Sequence, residues 1–476
     1  MSHTAFLIFR GCLIDTPALG TLRIRPRAAL GADCSTGRIV GVAEQPVGSP
    51  EGLIREWTGQ TVRADKVEVI DLSADQFLMP GLIDTHTHAP QFTFQGLGND
   101  LPLMDWLDKY TFKHESRFKD TGLARRVYKE VIARVVRNGT TFAAYYGTIH
   151  IEANCILAEA IRSAGQRAFV GKVCMDANSP EHYSESTDES LAGTRRFVQA
   201  ILGQDSASDD SLLVRPIITP RFVPSCSRQC LDGLGKIAQE HGLPVQSHLC
   251  ENPSEVAFAK SCFPGCASYS EIYHTAGLFG PRTIMAHCVH MSEEDMDLVR
   301  RCGVGVSHCP NSNFSLGSGV ADVRRFLDDG IPVGLGTDVS GGYAPSILDA
   351  MRMAAAANRA LLASRRDRGG PPGSKAEKPL DAAELLFLAT QGGARVMGMQ
   401  TQVGSLDAGK FLDALVVDLE APGSPVPSVQ VTGAVLEQQE QGNLAEAWRL
   451  RAEQFVFLAD DRNIARVYVA GKLIHV

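Results

Sequence analysis

Apolar, strand-like runs alternate with helical stretches through the middle of the chain, and this alternation limits the fold more than any other feature. Candidate strands cover 140–146, 167–174, 214–220, 244–249, 283–289, 303–309 and 332–338, and an eighth precedes them near 77–88. Helical patterns over 123–137, 151–164, 231–241 and 293–302 fall between them. Short apolar runs separated by segments of helical period predict parallel β/α units. Eight such units predict an α/β chain built on a TIM-type (β/α)8 barrel, whose active site lies at the C-terminal ends of its strands.

Both ends of the chain break the alternation. Residues 6–9, 37–42 and 67–71 are β-rich and broken by Gly, Pro and Asp, and 414–418 and 464–472 are strand-like again. Residues 1–75 and 400–476 are expected to form one small β-sandwich domain, interrupted by a barrel over 76–399. A chain of 476 residues suits a barrel with an accessory domain. The Pro/Gly-rich, charged stretch 365–375 predicts an exposed, mobile loop.

The strand ends carry the chemistry. The run Pro80-Gly81-Leu82-Ile83-Asp84-Thr85-His86-Thr87-His88 places two histidines at i and i+2. On a strand such positions share one face, so both imidazoles can converge on one point. Arg221, His248, His287 and Asp338 follow at later strand ends. Three imidazoles and a carboxylate can bind a zinc ion and leave a position for water. His86, His88, His248 and Asp338 are the expected ligands. Glu251 stands three residues after His248, where a carboxylate can carry a proton between water and substrate. His287 is a further ligand, an orienting group for water or a polarising group for substrate. His3, His114, His150, His182, His241, His274 and His475 lack the strand-end setting; His290 lies just past a strand and His308 ends one. The spaced pairs Cys226/Cys230 and Cys262/Cys266 lack a following His at finger spacing and are expected to be free thiols. Lys172 is expected to be structural.

Composition narrows the classes. The apolar fraction of 44% fits a sizeable core, and the net charge of −8, without a long like-charge block, opposes nucleic-acid binding. No apolar stretch approaches the roughly 18 residues of a membrane span. The N-terminus lacks a basic region and a cleavage site, so a cytoplasmic location is expected.

Longer strings sharpen the picture: PGLIDTHTHAPQ from Pro80, DLPLMDWLDKYTF from Asp100, QRAFVGKVCMD from Gln166, TPRFVPSC from Thr219, HCPNSNFSLGSG from His308 and GLGTDVSGGYAPSILDA from Gly334. With the His-x-His pair and the final Asp, the chain resembles the amidohydrolase superfamily, on the branch that removes the amine of guanine. The resemblance implies one zinc ion per chain, guanine and water as substrates, xanthine and ammonia as products, and a homodimer. The alternative is deamination of a related ring such as 8-oxoguanine. By motif position Gln91, Arg221 and Phe222 are similar to the family's purine-binding residues, with Trp106 a second aromatic more suited to packing. His248, Glu251, His287 and Asp338 would also face the substrate. In the implied mechanism Asp338 takes a proton from water, Glu251 protonates the ring nitrogen beside the amine, and His287 steadies the intermediate.

Overall fold

The computed structural model describes residues 4–203, 213–367 and 378–476. Strands from both chain ends form one eight-stranded sheet. Across it the order is Lys472–His475, Ile464–Val469, Ala414–Asp418, Gln76–Pro80, Phe6–Ala18, Thr21–Asp33 and Arg38–Glu44, with Val67–Asp71 also paired to Phe6–Ala18. Side chains alternate as a pleated strand requires. Phe6 and Ile8 pack with Leu53 and Ile54 of the helix Pro50–Thr58, while Leu7, Phe9 and Leu13 face the opposite cluster with Leu412 and Val416. Phe6–Ala18 changes partner along its length, from Val67–Asp71 to Gln76–Pro80. The changeover falls near Gly11 (φ +143°), where an added Cβ would stand 2.7 Å from Leu72 Cβ. Only glycine fits so close an approach at that φ.

The middle of the chain forms purely parallel sheets. One joins Leu82–His88, Thr140–Tyr146, Arg167–Gly171 and Val214–Pro216; a second pairs Val173–Cys174 with Thr219–Pro220; a third runs Val245–Leu249, Thr283–His287, Gly305–His308 and Val333–Leu335. A bridge between Ile218 and Val245 links the neighbouring segments. The last segment also meets the first: Asp338 N donates to His86 O (2.9 Å) and His88 N donates to Val339 O (3.1 Å). The strands are buried on both faces, as parallel strands covered by helices are. Capped helices follow them. Asp120 caps Thr121–Arg137, and capping boxes start Thr187–Leu202 (Ser186/Glu189) and Glu293–Cys302 (Ser292/Asp295).

Several expectations change in detail. The run near 77–88 is two strands: Gln76–Pro80 belongs to the terminal sheet and Leu82–His88 to the parallel one. Gly81 is the joint, because a Cβ there would lie 2.0 Å from Thr141 Oγ1. The 167–174 strand is broken at Lys172, whose ammonium turns to Glu185 (2.8 Å), supporting a structural role. Residues 365–367 end a 21-residue helix, Ile347–Asp367, instead of opening a loop; 368–377 lie outside the described residues, as does His3. Two helices, Gly433–Glu440 and Leu444–Leu458, precede the last strands and lack a sequence-level expectation. No helix among the described residues is long and apolar enough to cross a membrane.

Candidate active site

The expected site residues meet at the C-terminal ends of the parallel strands. His86 and His88 close Leu82–His88, His248 lies in Val245–Leu249, His287 ends Thr283–His287, and Asp338 follows Val333–Leu335. His86 Nε2 and His88 Nε2 are 3.2 Å apart, and His88 Nε2 and His248 Nε2 are 3.3 Å apart. Asp338 Oδ1 lies 3.1 Å from His86 Nε2 and 3.4 Å from His88 Nε2. His86, His88 and Asp338 are buried and His248 is partly buried. Donors ~2.0–2.1 Å from a tetrahedral ion stand ~3.3–3.4 Å apart, and these four separations lie near that range, so the residues could hold a zinc ion. The tautomer agrees. Arg221 O accepts from His248 Nδ1 (2.6 Å), which leaves the Nε2 lone pair facing the other imidazoles. Burial holds all three imidazoles below the ordinary histidine pKa, as ligation requires.

A carboxylate beneath the surface ties the strands that carry this shell. Asp84 Oδ1 accepts from His86 N (3.1 Å) and Thr337 N (3.0 Å), and its Oδ2 accepts from Thr337 Oγ1 (2.5 Å). Burial pushes Asp84 up to about 7 against those hydrogen bonds.

Glu251 is fully buried, 3.5 Å from His287 Nε2 and 3.4 Å from Ser318 Oγ. Burial pushes its carboxyl up to about 7; His287 opposes the shift and Asp338 adds to it. His287 sits between two carboxylates, its Nε2 3.7 Å from Asp338 Oδ2. Burial favours neutral His287, yet Glu251 and Asp338 outweigh it and raise the imidazole above its ordinary value. Its Nδ1 donates to Asn313 Oδ1 (3.0 Å), which fixes the ring. Burial also pushes Asp338 upward, but His86, His287 and His88 hold it well below the carboxylate range. Three residues at this rim, Cys250, His287 and Asp338, have left-handed φ (51°, 72° and 46°). Each turns the chain sharply where a strand ends, a conformation uncommon outside glycine and concentrated at functional sites.

A cavity with about 380 Å³ of free space opens onto these groups. His88, His248, Glu251, His287 and Asp338 line its floor, and Gln91, Arg221 and Phe222 line its side with Leu103, Trp106, Leu107 and Leu316. All the expected substrate-facing residues therefore share one cavity. His308 does not line it; both its ring nitrogens are buried without a partner, and burial lowers its pKa to about 3. His290 instead donates to Ser318 O (2.6 Å). Cys226 and Cys230 are free thiols near Asp176, whose carboxylate is taken by Ser227 N, Ser227 Oγ and Thr187 Oγ1.

Sequence reasoning missed several partners. Glu115, Tyr183, Asn313, Ser318 and Asp84 support the site. Asn313, Ser318 and Asp84 lie inside the quoted strings, and Glu115 stands three residues beyond one of them, but nothing in their spacing reveals a role.

The amidohydrolase family model matches residues 77–474. A protein of Schizosaccharomyces pombe named "Probable guanine deaminase" is 43% identical over 468 residues, covering 98% of this chain and 83% of the relative. Guanine deaminase of Rattus norvegicus is 41% identical over 470 residues, covering 98% and 96%. The crystal structure of guanine deaminase from C. acetobutylicum with bound guanine superposes with a TM-score of 0.82 at 34% identity, covering 99% of this chain and all of that one. Full-length likeness at this level, on top of a converged His/Asp shell, places the chain: it belongs to the amidohydrolase family.

Proposed function

We propose that this chain hydrolyses guanine to xanthine and ammonia, using one zinc ion held by His86, His88, His248 and Asp338. The observation that carries the reading is the close approach of three imidazoles and Asp338, with His88, His248 and Asp338 lining a cavity that also holds Glu251, Gln91 and Arg221. The likeness to guanine deaminases over 98% of the chain supports the choice of ring.

When bound, zinc supplies Lewis acidity that makes a water acidic near neutral pH. The chain's own residues do the rest. Asp338 accepts the proton of the attacking water, and its ionised form is favoured by three flanking imidazoles. Glu251, poised near 7, donates a proton to the ring nitrogen beside the carbon that carries the amine, then relays the hydroxyl proton of the addition intermediate to the amine, which leaves as ammonia, and is itself reprotonated by the water proton that Asp338 took. His287, held by Asn313, leans toward the charged form and steadies negative charge building on the substrate. Phe222 offers a ring face for stacking. Gln91 and Arg221 supply in-plane hydrogen bonds.

The wider reading follows. The parallel segments form a (β/α)8 barrel, supported by the hydrogen bonds that Asp338 N donates to His86 O and His88 N donates to Val339 O. The terminal strands make a β-sandwich domain from about 1–75 and 400–476, to which Gln76–Pro80 also contributes. The enzyme acts in the cytoplasm as a homodimer; a sedimentation mass of one chain at micromolar concentration would oppose the dimer.

The test is ammonia release by the purified, zinc-loaded protein on guanine, with adenine, cytosine and 8-oxoguanine alongside. Guanine is expected to react far faster than the others. No ammonia from guanine, or faster release from another ring, overturns the proposal.

A further inference from the structure

The substrate side of the cavity contains two groups expected to read the ring, Gln91 and Arg221, and neither is free to choose its orientation. Both are held by Glu115, a carboxylate with no exposed surface. Arg221 Nη1 donates to Glu115 Oε2 (2.6 Å) and Nη2 donates to Oε1 (3.1 Å). Gln91 Nε2 donates to Oε1 (3.0 Å), and Tyr183 OH donates to Oε2 (2.8 Å). Glu115 therefore receives four hydrogen bonds from side chains on three separate loops. It ends the short helix Phe112–Glu115, whose Phe112 ring lies 5.4 Å from the Arg221 guanidinium.

The arrangement has a chemical consequence. Gln91 Oε1 accepts from Ser340 N (3.1 Å) while its Nε2 faces the Glu115 carboxylate, whose two oxygens accept from Arg221, Tyr183 and Gln91 itself. A flipped amide would set oxygen against oxygen at Glu115 and N–H against N–H at Ser340. The amide is locked, so one defined N–H and one defined lone pair remain for a ligand. The Arg221 guanidinium is likewise locked end-on. Its remaining donors keep fixed directions, and its charge is neutralised inside the cavity.

We propose that Glu115 is the positioning residue that sets ring specificity, by fixing the donor and acceptor directions of Gln91 and Arg221 and leaving a neutral wall suited to an uncharged ring with a carbonyl. This rests on the guanine reading above. Glu115 itself takes no part in proton transfer and holds no metal.

The experiment is Glu115→Gln in the full-length, zinc-loaded protein. Glutamine keeps the shape but offers both a donor and an acceptor, so the Gln91 amide is no longer forced and Arg221 loses half its partner. The readout is the ratio of kcat/KM for guanine to that for 2,6-diaminopurine, which replaces the ring carbonyl by an amine, measured by ammonia release. Zinc content is measured on the same samples. The expected result is a fall in kcat/KM for guanine of about 10²-fold, the scale of a modest misplacement of a positioned substrate. The ratio should fall at least ~10-fold with it, because discrimination rests on buried groups being left unpaired by the wrong ring. Zinc content stays at one per chain. Should Glu115→Gln fail to fold, Tyr183→Phe decides, since it removes one donor to Glu115 and no charge; its ratio is expected to fall by ~3–10-fold on the same principle. A folded, zinc-loaded variant that keeps the wild-type ratio overturns the proposal, even if both substrates slow together. Wild-type protein without guanine activity would instead overturn the reading of the reaction.

Discussion

Replacing Glu251 by glutamine should leave a folded, metal-loaded protein that has lost its acid. The size of the effect follows from burial. At its ordinary value near 4.5 a glutamic acid is only ~0.1% protonated at pH 7.5, whereas a group raised to about 7 is ~24% protonated. The cavity therefore enriches the proton-donating form roughly 200-fold, within the 10²–10⁴-fold that general acid catalysis typically contributes. Glu251→Gln is expected to lower kcat on guanine by about 10²–10⁴-fold while zinc content and melting temperature stay near wild type. The pH profile gives a second reading. Only the protonated carboxyl donates, so wild-type kcat should decline as pH rises through about 7, and this limb should vanish in the variant. Stopped assays of xanthine absorbance between pH 5.5 and 9, with elemental analysis of each sample, measure both (~0.5-unit steps suffice for a single titration). A variant with more than about a tenth of wild-type turnover, or one that keeps the alkaline limb, would refute Glu251 as the proton carrier.

Three further outcomes are expected. His86→Ala should lose zinc and activity together, and elemental analysis showing two equivalents in active wild type would refute the single-metal shell. Arg221→Met should lower kcat/KM for guanine with zinc unchanged, because its backbone carbonyl still holds His248; unaltered guanine kinetics would show that the ring is read elsewhere. Asp413→Ala should destabilise the fold by ~3–5 kcal/mol, since it strands the buried Arg167 that pairs with Asp413 at 2.7 Å; a urea-denaturation loss below ~1 kcal/mol would contradict this.

The metal shell was legible in the sequence because strand geometry is local. His86 and His88 are two residues apart, and the period of a strand alone puts them on one side. His248, His287 and Asp338 were found because each ends an apolar run. Glu115 was not, because it lies in an irregular helical segment, Leu103–Glu115, with no period to mark a face; its partners are 24, 68 and 106 residues away in sequence. In the fold, strand type was legible and strand limits were not. The run through Gly81 reads as one apolar stretch, and only the approach of Thr141 shows why it must divide between two sheets. The helix Ile347–Asp367 was hidden because its charged C-terminal end merges with a Pro/Gly-rich stretch of loop composition.

The hydrogen bond from His248 to the Arg221 carbonyl bears on how such a scaffold diversifies. A carbonyl is supplied by every residue type, so the side chain at 221 can be exchanged for another ring's complement without unseating the imidazole. An insertion, a deletion or any change that rotates the 221–222 peptide would disturb both the ring contacts and the imidazole at once. New substrate preferences on this framework are therefore reached more readily by replacing side chains here than by remodelling the loop.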